Sequence, residues 1–190
     1  MNLADRLTSS RLALAPLFFV AFRWGGVVGR WPAVVILWAL FVAMELTDLL
    51  DGQAARRQGT VSAFGKLFDP FADVVARLTY FVCFASTGYM PLWAFLVILY
   101  REFGQLFLRQ LLAEKGIAMG ARPGGKLKAV FYMLAGAGSL VLDSMIRLGL
   151  APEALPSLKS VVLVLYVVAV VLSVGSFIDY LVQFRRLTSD

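Results

Sequence analysis

The sequence predicts an all-α, polytopic membrane protein with six transmembrane helices and a short N-terminal interfacial segment. Composition, the lengths of the apolar runs and the distribution of cations carry that expectation. Of the 190 residues 60% are hydrophobic and only 16% charged, whereas soluble domains run at about 45–50% apolar and about 25% charged. The excess has to face something other than water. At roughly 20 residues per crossing the length allows one membrane domain, residues 1–190, and leaves no room for a separate soluble one.

The first apolar stretch, Ser10 to Phe22, follows Arg6 and Arg11. A secretion signal can look like this, but no small-x-small site closes the apolar run just before Arg23 and five further spans follow, so a retained helix is expected. Met1 to Leu7, apolar at Leu3 and Leu7, reads as the interfacial segment. Pro32 to Leu50, Pro70 to Gly88 and Pro91 to Leu112 are the second, third and fourth spans. Ala129 to Ile146 is the fifth, and its run Ala135-Gly136-Ala137-Gly138-Ser139 suits close helix packing. Leu158 to Val182 is the sixth.

With the N-terminus in the cytoplasm, Arg56, Arg57, Lys66, Arg109, Lys115, Arg122, Lys126, Lys128, Arg185 and Arg186 share that side, against Arg23, Arg30, Arg147 and Lys159 on the other. This satisfies the positive-inside bias. Both termini and the polar segments Gly52 to Lys66 and Ala113 to Lys128 are therefore expected on the cytoplasmic face, and with them any site. A net charge of +6 in so apolar a chain fits anionic membrane lipids as partners rather than nucleic acid.

The chain has no His, which excludes Ser-His-Asp and Cys-His nucleophilic sites and His-ligated zinc. Its single cysteine, Cys83, sits in an apolar run, can form no internal disulfide and reads as a small buried hydrophobe. Chemistry is left to carboxylates, Arg, Lys and hydroxyls. Glu45, Asp48, Asp51, Asp69, Asp73, Arg77, Arg101, Glu102 and Asp179 fall inside spans or at their edges, where ionisable residues are expensive and functional by default. Asp48 and Asp51 are three apart at the end of the second span, and Asp69 and Asp73 four apart at the start of the third. Each spacing puts a pair on one helix face. A short connection makes the two helices antiparallel neighbours, so the four carboxylates can converge. Such a cluster needs something positive within it, and hard divalent cations, Mg²⁺ or Mn²⁺, meet that need.

Read in full, the segment is Asp48-x2-Asp51-Gly52-x2-Ala55-Arg56-x8-Gly65-x3-Asp69-x3-Asp73. It resembles, without a gap, the signature of the CDP-alcohol phosphatidyltransferase family, eight fixed residues over 26 positions. The resemblance implies a six-helix membrane enzyme that moves a phosphoalcohol unit from a CDP-linked donor to a hydroxyl and releases CMP. It also implies two divalent ions and a homodimer. On that resemblance Asp48, Asp51 and Asp69 are principally metal ligands. Asp73 is the general base, with some share in the metal, while Asp51, Gly52, Ala55, Arg56 and Gly65 bind the CDP donor. Glycines leave room for a nucleotide near the backbone, and the planar charge of Arg56 suits a phosphate.

The run Asn2 to Arg11 with Pro16, together with Arg101-Glu102-Phe103 and Gly125-Lys126-Leu127-Lys128, is similar to bacterial phosphatidylglycerophosphate synthases within that family. That similarity implies CDP-diacylglycerol as donor, glycerol 3-phosphate as acceptor and the bacterial cytoplasmic membrane as location. Where those enzymes usually carry Lys after the fourth aspartate, this chain has Val74. A small phosphorylated polar acceptor needs cations. Arg101, Arg109, Arg122, Lys126 and Lys128 are the candidates, each weighed against lipid contact or ion pairing. Alternative readings keep the family and change the substrate: inositol phosphate, serine, or a CDP-aminoalcohol with diacylglycerol. A transporter could hold intramembrane carboxylates too but has no need of the Asp-Gly-x-x-Ala-Arg spacing, and a scaffold needs no charged cluster.

Overall fold

The computed structural model of the chain describes residues 3–58, 63–117 and 123–188, with the side chains of 3–7, 48–67 and 123 outside the description. The described residues form six α-helices: α1 Leu3–Trp24, α2 Arg30–Gln58, α3 Ala63–Ser86, α4 Leu92–Glu114, α5 Pro123–Leu148 and α6 Leu155–Thr188. No strand occurs among them. The all-helical class and the six-element order match the expectation. The ends do not. Helix α2 continues to Gln58 rather than Leu50, α3 begins at Ala63 with Pro70 inside it, α5 begins at Pro123 rather than Ala129, and α6 reaches Thr188. At α2, α5 and α6 apolarity ends before the backbone hydrogen bonding does, whereas at α3 the proline expected to open the helix sits inside it. The segment expected to lie apart at the N-terminus is corrected likewise, since Leu3 onward belongs to the continuous helix α1.

Four helices contain stretches long and apolar enough to cross a membrane, at Thr8–Val28, Arg30–Thr47, Gly124–Leu148 and Pro152–Thr188. Helices α3 and α4 fall short on apolarity because charged residues interrupt them, Asp69, Asp73 and Arg77 in one and Arg101, Glu102 and Arg109 in the other.

Successive helices run up and down, as contacts at the two ends of the bundle require. At one end Arg147 on α5 donates from Nη2 to the Phe22 carbonyl of α1 at 2.9 Å, and from Nε to Asp143 at 2.6 Å. Tyr89, in the turn between α3 and α4, donates to Asp143 at 3.4 Å. Burial beside that carboxylate pushes the Tyr89 phenol up to about 12, so it remains a neutral donor. At the other end the early turns of α1 and α3 meet, and so do the later turns of α4 and α6 with the start of α5.

Helix α1 packs along both α2 and α3, and α5 along α6. Between them lies an aromatic core. Phe18, Phe41, Phe81 and Phe84 surround Tyr80, with ring centroids from 4.8 to 6.3 Å apart, and Phe81 continues to Tyr132 and Tyr166 at 5.6 and 5.7 Å. Edge-on geometry of this kind adds to simple burial. The small-residue run on α5 serves packing, as expected. A Cβ at Gly136 would come within 3.1 Å of Phe41 and 3.2 Å of Tyr80, and one at Gly138 within 3.1 Å of Val162. Cys83 is buried in the same core. Leu17, Val35, Val164 and Val171 stand on the outer surface of the bundle, where only an apolar surrounding would suit them.

Candidate functional site

Helix α3 carries the described half of the aspartate motif. Asp69 and Asp73, one turn apart, are both half-buried, and α1 comes to meet them. Thr8, fully buried on α1, donates its hydroxyl to Asp69 Oδ1 at 2.5 Å. Arg11, one turn on, lies 3.8 Å from Asp73. Asp73 is held more firmly from its own helix: Arg77 donates from Nη1 and Nη2 to the two carboxylate oxygens at 3.0 and 3.1 Å. That i, i+4 fork on a helix face is bidentate, the geometry in which Arg pairs best with a carboxylate. Helix α2 reaches α3 through Glu45, which accepts from Tyr80 at 3.1 Å.

Asp48, Asp51, Gly52, Ala55, Arg56 and Gly65 lie on α2 and α3, but their side-chain positions fall outside the described residues, as does Arg122. Among the described residues no three His, Cys, Asp or Glu side chains gather as a metal would require. The two described motif aspartates offer hard oxygen donors one turn apart, the donor type that suits Mg²⁺ or Mn²⁺.

Asp73 also forms part of the wall of a cavity of about 290 Å³ between α3, α4, α5 and α6. Five cations line it, Arg77, Arg101, Arg109, Lys126 and Lys128, against three carboxylates, Asp73, Glu102 and Asp179, a formal excess of two positive charges. Four of the five expected acceptor-side cations, Arg101, Arg109, Lys126 and Lys128, are thus brought together. Lys128 does not face lipid: it is buried and donates to Glu102 Oε1 at 2.6 Å. Lys126 is exposed at the cavity wall and Arg109 half-buried there.

Arg101 is buried between α4 and α6. Its Nη1 donates to Glu102 Oε1 at 3.0 Å, its Nε to the Ser173 carbonyl at 3.2 Å and its Nη2 to Ser176 Oγ at 2.9 Å, with Phe177 beneath the guanidinium at 5.9 Å. Of five N–H donors these bonds use three. The close approach of α4 and α6 here depends on Gly104, where a Cβ would meet the Phe177 ring at 3.0 Å.

Sequence reasoning missed several of these roles. Arg77 was legible as an ionisable residue one turn after Asp73, but its place in the cavity wall was not; Val74 lines the same cavity as a buried apolar residue. Tyr132, Ser173 and Ser176 carry no motif at all. Gln105 Oε1 and the Tyr180 hydroxyl, from two other residues of the wall, are buried without a hydrogen-bond partner among the described residues. The arrangement can hold a doubly charged anion beside a carboxylate, with a second pair of carboxylates one helix away in sequence.

Known proteins resemble the chain over most of its length. A family model described as CDP-alcohol phosphatidyltransferase matches residues 1–175. The chain is 43% identical to the CDP-diacylglycerol–glycerol-3-phosphate 3-phosphatidyltransferase of Treponema pallidum, over 97% of this chain and 89% of the relative. It is 33% identical to a probable phosphatidylglycerophosphate synthase of Mycobacterium tuberculosis, over 97% and 82%. To the CDP-diacylglycerol–glycerol-3-phosphate 3-phosphatidyltransferase of Bacillus subtilis it is 34% identical, over 70% and 74%.

Proposed function

Because the chain belongs to the CDP-alcohol phosphatidyltransferase family, we propose that it transfers the phosphatidyl group of CDP-diacylglycerol to a hydroxyl of glycerol 3-phosphate, forming phosphatidylglycerophosphate and releasing CMP. The observation that carries a phosphorylated acceptor such as glycerol 3-phosphate is the cavity beside Asp73, whose excess of two positive charges matches the charge of a phosphate monoester, inositol phosphate included. A zwitterionic serine or a neutral diacylglycerol has no such need. The names of the relatives in Treponema pallidum and Bacillus subtilis point to the same acceptor.

In this reading Arg109, Lys126, Lys128 and the spare donors of Arg101 hold the acceptor phosphate, with Arg122 as a further candidate, and its hydroxyl faces Asp73. The hydroxyl oxygen attacks the phosphorus that bears diacylglycerol, a new P–O bond forms, and the bond to the phosphate of CMP breaks. Asp73 takes the hydroxyl proton. Each carboxylate oxygen has two lone-pair sites, so the Arg77 fork orients the group while leaving it able to accept. Asp48, Asp51 and Asp69 would hold two Mg²⁺ or Mn²⁺ ions with a share from Asp73, and Asp51, Gly52, Ala55, Arg56 and Gly65 would receive the nucleotide. When bound, the ions supply positive charge that stabilises the charge growing on the departing CMP.

The same reading has all six helices crossing the membrane. Helices α3 and α4, with 24 and 23 residues, reach about 35 Å at 1.5 Å per residue, enough for a hydrocarbon core of about 30 Å. It sets both termini and the site on the cytoplasmic side of a bacterial inner membrane, beside anionic lipids, in a homodimer as the family resemblance implies. The test is an acceptor panel. Purified protein with CDP-diacylglycerol and Mg²⁺ or Mn²⁺ should release CMP with glycerol 3-phosphate and yield a product of the corresponding mass. Turnover with inositol phosphate or serine and none with glycerol 3-phosphate would replace this acceptor.

A further inference from the structure

Glu102 is a carboxylate in the wall of a cavity rich in cations, and on charge alone it opposes an anionic ligand there. Its surroundings are unusually complete. A single oxygen, Oε1, accepts from Lys128 Nζ at 2.6 Å, from Arg101 Nη1 at 3.0 Å and from the Tyr132 hydroxyl at 3.1 Å. The residue is 5% exposed. Tyr132 is itself fixed to α6 through Ser173 Oγ at 2.6 Å, and Lys128 lies 4.9 Å from the Tyr132 ring centroid. One oxygen therefore ties α4, α5 and α6 together behind two of the cavity's cations.

We propose that Glu102 is a positioning residue for the acceptor: it holds Lys128 and Arg101 at the angle that meets the acceptor's phosphate, and it touches no substrate. This rests on the reading that the cavity takes a phosphorylated acceptor. Lys128 is a point charge on a flexible stem, and Arg101 is a like charge bonded to the same oxygen. Without the carboxylate the two repel, and the lysine swings toward water. With it, Lys128 spends one of its three donors on Glu102 and keeps two, and Arg101 likewise keeps two of five. The ordering cost of those side chains is met before the acceptor arrives, which is how preorganisation raises affinity.

Two effects of opposite sign make the idea testable. Glu102→Gln keeps the shape and removes the charge. If Glu102 merely repels the phosphate, the variant binds acceptor more tightly. If it positions the cations, the KM for glycerol 3-phosphate rises about tenfold or more, as expected from losing charge-assisted hydrogen bonds. The KM for CDP-diacylglycerol then stays within about twofold, since the donor's residues lie on α2 and α3. Glu102→Asp should recover part of the loss. The measurement uses the full-length protein in CDP-diacylglycerol mixed micelles with Mg²⁺, with thermal unfolding recorded in parallel.

An unchanged or lowered acceptor KM in Glu102→Gln overturns the proposal, as does a parallel rise of both KM values with a loss of thermal stability. Should Glu102→Gln fail to fold, Tyr132→Phe decides. It removes one hydroxyl from the same oxygen and should raise the acceptor KM alone, by less; no rise overturns the proposal. If the wild type takes a different phosphorylated acceptor, the choice of glycerol 3-phosphate falls while the same comparison is made with that acceptor. An acceptor without a phosphate would overturn both readings.

Discussion

Arg77 grips Asp73 from one turn away, with its two terminal nitrogens at 3.0 and 3.1 Å from the two carboxylate oxygens. The pair faces the cavity on one side and the Tyr132 ring, 5.5 Å from the guanidinium, on the other. An aspartate so fixed cannot rotate away from an incoming hydroxyl.

Asp73→Asn tests the base directly. It preserves shape and removes basicity, so turnover should fall by about 10²–10⁴-fold, the usual contribution of a positioned base. Donor binding should survive, measured by equilibrium binding of CDP-diacylglycerol. Near-normal turnover at saturating metal and acceptor would assign proton removal elsewhere.

Chelation tests the metal. Excess chelator should abolish CMP release, and Mg²⁺ or Mn²⁺ should restore it. Asp48→Ala, Asp51→Ala and Asp69→Ala should each nearly abolish turnover at any metal concentration. Cys83→Ala, in the apolar core, should leave turnover within about twofold as a small-residue swap away from the site.

Thr8→Val replaces the buried hydroxyl that donates to Asp69. A hydrogen bond to a charged group is worth about 1.5–3 kcal/mol, so the variant should need roughly tenfold more metal for half-maximal activity. An unchanged metal requirement would confine Thr8 to packing.

The far end of the bundle should matter for stability and not for chemistry. Arg147→Met leaves Asp143, which is 2% exposed, without its cation and with the Tyr89 hydroxyl as its remaining side-chain donor, and breaking a buried ion pair on one side costs about 3–5 kcal/mol. The expected result is a clear loss of thermal stability in detergent with kcat near normal at low temperature. Adding Asp143→Asn should return much of it.

Gly136→Val probes the core. A Cβ there already meets Phe41 and Tyr80 at 3.1 and 3.2 Å, and overpacking of this kind costs about 1–3 kcal/mol. Thermal unfolding should show it, with Gly125→Ala, whose Cβ meets nothing within 4 Å, as the control.

The helix count was readable from apolar run lengths, and the placing of Asp69 and Asp73 one turn apart on α3 from their spacing, because both are local properties of the chain. Helix ends were misjudged where polar residues remain helical, as at Asp51 to Gln58. The attachment of Thr8 and Arg11 to the aspartates was out of reach, since it depends on α1 packing against α3 about 60 residues later. Glu102 was visible as an ionisable residue beside Arg101, but its bonds to Lys128 and Tyr132 come from a different helix. Periodicity within one helix says nothing about such a meeting.

The charges that keep α3 and α4 from qualifying as apolar spans also bear on how the chain enters a membrane. A lone charge at the centre of an inserting helix costs about 2.5–3.5 kcal/mol. Helix α3 emerges after its partner Arg11 is already in place on α1, and it brings Arg77 with it. Helix α4 brings Arg101 for Glu102, but the other two donors to that carboxylate, Lys128 and Tyr132, stand on α5 and are synthesised later. If α4 crosses the membrane, as proposed, a chain halted before α5 leaves Arg101 and Glu102 with each other as partners and without Lys128, so α4 and α5 are expected to insert as a pair.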